Sequence, residues 1–363
     1  MPIHSTKSYR TVERKLYPNA TQTETLERYR VECCRLYNLA LEQRIKAYAR
    51  RKEFTTLYDQ QAWLTDMRSR KESLRLLPVE FARDALRRVD KGFKAFFRRV
   101  KAKAKQKGFP RFKPRHRYRS MVFCTNAMLY FRASTVHVPG IGGVESRGRD
   151  VEGKQKMLRI IKRADAWYAQ VLVEVYNLPS VNPQSSVGID MGLTSFATLS
   201  TGEKIENPRW YRKAQGELRQ SQKSLSRKNK GSKNRAKART KLAIVHKRIG
   251  AQRKDFAHQE SRKIVNRFDV IGFEKLNIAG LARTRMAKSI LDAAWGFFLF
   301  CVTYKAENAG KLPVPVPAAG TSQECPRCGV IKKKSLSERQ HQCECGCVLD
   351  ARFLSTQKAN EDS

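Results

Sequence analysis

Apolar residues recur at helical spacing through Leu26, Tyr29, Cys33, Leu36, Tyr37, Ala40 and Leu41, which predicts a long amphipathic helix reaching about Arg50. Thr21-Gln22-Thr23-Glu24 has capping-box spacing at its start. A second helical segment spans Thr56 to about Ser69. A third begins at Pro78 and carries Phe81, Ala85, Val89, Phe93, Phe96, Phe97 and Val100 on one face, the stripe of a helical core with a solvated basic back. The period then changes to that of strands. Residues 8 to 17, Ser120–Cys124, Met128–Arg132, Thr135–Val138, Met157–Arg163 and Trp167–Tyr176 are strand candidates, with Gly140-Ile141-Gly142-Gly143 read as a turn. Together they predict a small antiparallel barrel or sandwich.

After a linker at Leu178–Pro183, the stretch Ser186–Gly202 reads as a buried strand ending on Asp190, a glycine-bearing turn and a second strand. Phe268-Asp269-Val270-Ile271-Gly272-Phe273-Glu274 repeats the design, an apolar strand ending on a carboxylate. Ala279 to Lys288 is loop-like, Ile290 to Ala309 an aromatic-rich helix ending near Gly310, and Val314-Pro315-Val316-Pro317 a rigid extended connector.

Charge narrows the function classes. The 363 residues hold 74 Lys and Arg against 33 Asp and Glu, a net charge of +41 spread along the chain. A compact fold of that charge repels itself unless a polyanion screens it, so an extended nucleic-acid surface is the expected partner; a ribosomal or chromatin protein satisfies the same numbers. No apolar run approaches the roughly 20 residues of a spanning helix, and the N-terminus shows no signal-type segment. The expectations are therefore no membrane and a cytoplasmic location. Between Arg209 and Arg267 there are 20 Lys or Arg against three acids, read as two basic helices joined at Arg227-Lys228-Asn229-Lys230-Gly231-Ser232-Lys233-Asn234-Arg235. Arg227, Lys228, Lys230, Lys233 and Arg235 are candidate nucleic-acid contacts. Phe109, Arg111 and Lys113 are too, within a Pro- and Gly-punctuated segment where aromatics alternate with cations.

Two clusters carry chemistry. Five of nine cysteines crowd between Cys325 and Cys347, a metal-site pattern of a reducing compartment. Cys325-Pro326-Arg327-Cys328-Gly329 is a zinc-knuckle turn, and after 14 residues Cys343 and Cys345 supply the second pair, with Cys347 or His341 as substitutes. Four thiolates leave zinc no open position, so this zinc is structural. The second cluster is Asp190 with Glu274. Strand-end carboxylates that converge can hold two Mg²⁺ ions for phosphodiester hydrolysis. Because 84 residues separate them, two structural acids remain the alternative.

In family order along nearly the whole chain, several stretches resemble the TnpB family of insertion-sequence proteins, RNA-guided nucleases related to type V CRISPR effectors. They are Leu16-Tyr17-Pro18, Tyr37–Leu41, Gly108–Lys113, Gly188–Gly192, Phe273–Asn277, Ser289–Gly296, Thr321–Gly329 and Cys345-Gly346. The resemblance implies a multidomain α+β protein. A helical recognition lobe (21–105) is inserted in a wedge-like β-barrel (1–20 and 106–180). An RNase H-like RuvC domain (181–320, with the basic pair 209–267) follows, then a zinc ribbon (321–349) and an atypical remnant (350–363). It also implies a guide RNA, a double-stranded DNA target with a short flanking motif, a prokaryotic, nucleoid-associated setting, and Asp190 and Glu274 as the first two Mg²⁺ ligands.

The third ligand departs from the pattern. Where the family has Asp-Arg-Asp-x-Asn-Ala-Ala, this chain reads Asp350-Ala351-Arg352-Phe353-Leu354, so Arg352 stands where the metal-binding Asp is expected. A cation there repels the metals, and cleavage is expected to be severely reduced. Three readings stay open. The first is an active endonuclease using Asp190, Glu274 and Asp350. The second is a nuclease-dead RNA-guided repressor. The third is a transposon copy decayed by frameshift.

Overall fold

The computed structural model describes residues 7–124, 130–148, 151–164, 166–178, 182–317, 340–346 and 348–350, together with Cys325, Cys328 and Val330. The chain divides into two compact units, residues 7–175 and residues from 176 onward.

The first unit opens with strand β1 (Lys7–Leu16) and then four helices, α1 (Ala20–Arg51), α2 (Leu57–Arg70), the single turn α3 (Glu72–Arg75) and α4 (Val79–Lys101). The capping box of α1 lies two residues earlier than its sequence spacing suggested. The Asn19 side chain accepts from the Gln22 amide at 2.8 Å, and the Gln22 side chain accepts from the Asn19 amide at 3.2 Å. Pro18 stops β1 just before this cap, so the helix starts as soon as a side chain can serve its first free amides. All seven residues of the α1 stripe are buried, packed with Phe81, Ala85, Leu86 and Val89 of α4. Three of the seven residues of the α4 stripe are core, Phe93 and Phe96 are half-buried, and Phe97 and Val100 are exposed.

A polar knot sits inside these helices. Arg44 of α1 donates to Gln60 of α2 at 2.9 Å and to Asp90 of α4 at 3.3 Å, and Gln60 donates to the Ala40 carbonyl at 2.8 Å. Burial without partners would be costly for each, so the knot fixes how the three helices meet.

Strands β2 (Ser120–Cys124), β3 (Thr135–Val138), β4 (Gly142–Arg147), β5 (Lys154–Arg163) and β6 (Ala166–Tyr176) complete the unit. With β1 they form one six-stranded sheet, ordered β2-β5-β6-β1-β4-β3. Trp167, Ala169, Val171 and Val173 alternate inward along β6, the period-2 pattern that announced the strand. β4 was not expected. The turn occupies Gly140-Ile141, and Gly142 already pairs with Val138. The Met128–Arg132 candidate lies partly outside the described residues; Phe131 makes an isolated bridge to Val136.

The second unit is built on β7 (Ser186–Met191), β8 (Ser195–Leu199), β9 (Lys204–Glu206), α5 (Trp210–Ser226), α6 (Lys233–Arg267), β10 (Val270–Lys275), α7 (Ile278–Leu281), α8 (Ala287–Ala293), α9 (Trp295–Asn308) and β11 (Leu312–Pro317). The sheet order is β11-β10-β7-β8-β9, antiparallel across β7-β8-β9 and parallel from β7 through β10 to β11. Phe196 meets Phe256 of α6 and Phe298 of α9 edge-on at 4.9 and 5.0 Å, so helix and sheet share one core.

Two expectations change here. The aromatic helix breaks at Ala294, which adopts φ +56 and separates α8 from α9. The extended connector is a true strand. The Leu312 amide donates to the Asp269 carbonyl at 2.8 Å, so Leu312, Val314 and Val316 face β10, and Pro313, Pro315 and Pro317 turn their nitrogens to the open side. A separate hairpin pairs β12 (Gln340–Gln342) with β13 (Val348–Asp350). Among the described residues no helix is long and apolar enough to cross a membrane.

Candidate functional site

The parallel register of β7 and β10 runs Val270 beside Ser186, Ile271 beside Val187, Gly272 beside Gly188 and Phe273 beside Ile189. One step further, Glu274 follows Phe273 and Asp190 follows Ile189. Each acid is thus the residue that follows the last paired position at the carboxyl end of one of two adjacent strands. Both are half-buried at the border of an apolar sheet, with Val187, Ile189, Ile271 and Phe273 buried below them. Such strand ends are where α/β sheets place their ligands. The turn after Asp190 is close. A side chain on Gly192 would meet the Ser195 carbonyl oxygen at 2.8 Å, so glycine is required there.

Beside this turn, Leu193, Thr194, Asn207, Arg209, Arg212, Ser289 and Asp292 line a cavity of about 250 Å³. Asp292 organises it. Its buried carboxylate accepts from the Tyr211 amide at 2.8 Å and the Arg212 amide at 3.4 Å, in the first turn of α5, and from Arg253 of α6 at 2.6 and 3.0 Å. One carboxylate thus ties the basic helical pair to α8 and satisfies orphan amides of α5. The sequence reading missed this role. The available signal was an acid within Ser289–Gly296, amid a strongly basic region.

The basic pair forms as expected, packed through Leu218 of α5 and Val245 and Ile249 of α6. Arg227, Lys228, Lys230 and Lys233 are exposed at its turn. Arg235 is not directed outward. It donates to the Leu225 and Lys228 carbonyls at 3.1 and 2.6 Å and closes the turn at the negative end of α5.

In the first unit, α1 holds the segment carrying Phe109, Arg111 and Lys113. The Lys113 amide donates to Asn38 at 2.9 Å and Asn38 returns a bond to the Lys113 carbonyl at 3.0 Å, while the Tyr37 hydroxyl donates to the Arg111 carbonyl at 3.3 Å. Arg30 donates to the Tyr118 carbonyl at 2.8 Å and also to that of Arg115. Phe109 and Arg111 remain exposed. The Lys113 ammonium lies 4.3 Å from the Tyr37 ring centroid, where burial and the Arg88 charge push its pKa down.

Cys325, Cys328, Cys343 and Cys345 converge, with all sulfurs within 4.8 Å of one another. Cys325–Cys345 and Cys328–Cys343 are 3.6 and 3.4 Å apart. Four sulfurs bound tetrahedrally to zinc at about 2.3 Å lie about 3.8 Å apart, so the set fits that ion. A backbone hydrogen bond at Val330 favours the Cys328 thiolate, but the neighbouring thiols and burial outweigh it and push its pKa up to about 12. Four sulfurs so close ionise together only around a cation. Gly346, at φ +79, provides the left-handed turn beside Cys345. The His341 side chain and Cys347 lie outside the described residues. So do the Asp350 side chain, Arg352 and Leu354; the Asp350 backbone pairs with Gln340.

Three family models match the chain: "Probable transposase" over residues 170–285, "Cas12f1-like, TNB domain" over 295–353 and "Helix-turn-helix domain" over 8–53. In this structure the last segment is a strand followed by one continuous helix. A Streptomyces pristinaespiralis protein named "Putative RNA-guided DNA endonuclease" is 32% identical over 93% of this chain and 85% of its own length. "Putative RNA-guided DNA endonuclease InsQ" of Escherichia coli is 26% identical over 91% and 86%. Among solved structures, the protein of a Cas12f1–sgRNA–target DNA complex matches with a TM-score of 0.56 at 12% identity, over 94% of this chain and 83% of that one, a likeness of fold.

Proposed function

The chain belongs to the TnpB family, and on that premise we propose that it is an RNA-guided DNA-targeting protein with a RuvC-type site of severely reduced cleavage. The observation that carries the site is the in-register emergence of Asp190 and Glu274 from neighbouring parallel strands. The sheet order, three antiparallel strands followed by two parallel ones, supports an RNase H-like reading. The helix-bearing six-stranded sheet supports a wedge and recognition lobe. The four converging cysteines support a structural zinc ribbon, and the names of the full-length relatives support guide RNA and DNA as partners.

In this reading Asp190 and Glu274 would hold Mg²⁺, and the ion, when bound, would supply water activation and charge neutralisation for phosphodiester hydrolysis. Arg209 and Arg212, on a helix end anchored by Asp292, bring positive charge to the cavity beside the Asp190 turn and draw a strand's phosphates toward the acids. The exposed cations of the α5–α6 turn extend that field. The third ligand decides the outcome. Arg352 occupies the family's Asp position, and Asp350 is displaced by two residues. That observation favours the second reading, a guided binder that occupies DNA without cutting it, and is equally compatible with a copy altered by frameshift.

The test is purification with bound RNA, then incubation with a matched plasmid and Mg²⁺. The expected result is guide-dependent DNA binding with little linear product, and cleavage restored toward the family's level by Arg352→Asp. Guide-dependent linearisation by the wild type that Asp190→Ala abolishes would overturn the impaired-site conclusion. DNA binding that ignores RNA would overturn the guided reading altogether.

A further inference from the structure

The apolar stripe of α4 runs past the core it was expected to fill. Beyond Val89 it continues as Phe93, Phe96, Phe97 and Val100, and these rings meet others from three separate segments. Phe97 packs against Phe93 and Phe96 at 6.2 and 5.2 Å and against Phe54 at 6.3 Å. Phe54 meets Tyr48 at 5.2 Å, and Phe109 meets Phe93 and Phe96 edge-on at 5.6 and 5.2 Å. The result is a continuous ladder of six rings. Four of them remain open to solvent: Tyr48 is 49% exposed, Phe54 70%, Phe97 47% and Phe109 48%.

The surroundings identify the occupant. Residues 91 to 144 hold 14 Lys and Arg and no Asp or Glu. Arg50, Arg51, Lys52, Arg98, Lys101 and Lys107 are exposed on the segments that carry the rings. A second copy of this chain would bring the same positive face and be repelled. A membrane-inserting face would be aliphatic as well as aromatic and would lie on one helix. Solvent-facing rings framed mainly by cations, with Glu53 the acid beside Phe54, match unpaired nucleotides, whose bases stack on rings while their phosphates meet cations. A duplex cannot use the rings, since its bases are already stacked.

We infer that this ladder is a stacking platform for unpaired RNA nucleotides. The choice of RNA rests on the RNA-guided reading, because a structured RNA displays unpaired bases constantly, whereas target DNA does so only after unwinding. Asn38 and Tyr37 keep Phe109 in the ladder by holding the backbone that follows it.

The experiment uses the full chain freed of RNA and a single-stranded oligo(A) RNA of about 12 nucleotides, within the usual single-strand site size. Phe54→Ala with Phe97→Ala should weaken its binding about thirtyfold or more, since two stacking faces are lost. Both side chains are exposed, and circular dichroism verifies folding. The slope of affinity against salt should stay unchanged in these variants and fall in Arg50→Gln/Arg98→Gln. Phe97→Trp should restore binding, and a blunt RNA duplex should bind all ring variants like wild type. Equal binding of oligo(A) by the double Ala variant, or an equal loss on the duplex, overturns the platform. Equal affinity for oligo(dA) overturns the assignment to RNA. So does a concentration-dependent dimer that the double variant abolishes. If wild type carries no RNA from the cell yet shows ring-dependent oligo(A) binding, the guided reading fails and the platform stands.

Discussion

Asp292→Ala removes one carboxylate from four donors. The Tyr211 and Arg212 amides lose their acceptor, and Arg253, whose side chain is three-quarters buried, loses its counter-charge. Loss of a cap-like acceptor costs about 1 kcal/mol. Breaking a fully buried ion pair costs about 3–5 kcal/mol, and solvent reaching Arg253 reduces that by about half. A total near 3 kcal/mol follows, which for a unit of this size lowers the apparent melting temperature of the second unit by about 6–12 °C. The effect is also local, because the α5 entry and mid-α6 lose their shared anchor. Hydrogen exchange should therefore rise first in Arg209–Lys213 and around Arg253. A double-mutant cycle with Arg253→Ala isolates the pair, with an expected coupling of about 1–2 kcal/mol. A total loss below about 1 kcal/mol, or a coupling near zero, would refute the claim that Asp292 anchors the helical pair.

Asn38→Ala deletes both hydrogen bonds to Lys113, and exchange protection of residues 109 to 118 should fall while α1 itself stays protected; an unchanged loop would mean that Arg30 and Tyr37 suffice. Zinc chelation should expose the 321–349 segment to limited proteolysis before any other, and digestion indifferent to chelation would count against the cysteine site. Glu27 has its pKa lowered from 4.5 to about 2, chiefly by its hydrogen bond from Arg30, opposed by burial and aided by Lys162. The folded value is depressed, so its stabilisation is present above pH 4.5 and disappears as pH falls toward 2. Glu27→Gln should flatten the stability profile in that window, as read by urea titration at several pH values.

Much of the helical architecture was legible because burial and helical period coincide. All seven stripe residues between Leu26 and Leu41 reach the core. The same stripe on α4 misled at its far end, since periodicity reports which residues share a face and cannot report what covers it. β4 was hidden by glycines that also belong to turns, and β11 by prolines that exclude a central strand while suiting an edge. Nothing in Ala294 announces its left-handed conformation, at φ +56. The acid pair was recognisable as two similar strand ends, but adjacency across 84 residues depends on strand register. For Asp292 the partners come from α5 and α6, about 80 and 40 residues away respectively, and no local pattern encodes them.

The three prolines of β11 have a consequence for the protein's colloidal life. An outermost strand normally offers amides that can recruit another chain and seed a growing cross-β stack. Here every outward position of Leu312–Pro317 is a proline with no amide to offer, so the border presents carbonyls but no donors to an incoming strand. A chain that must keep its surface open to a long polyanion cannot shield itself with added layers. Proline at alternate positions lets it stay uncovered and still resist templated aggregation.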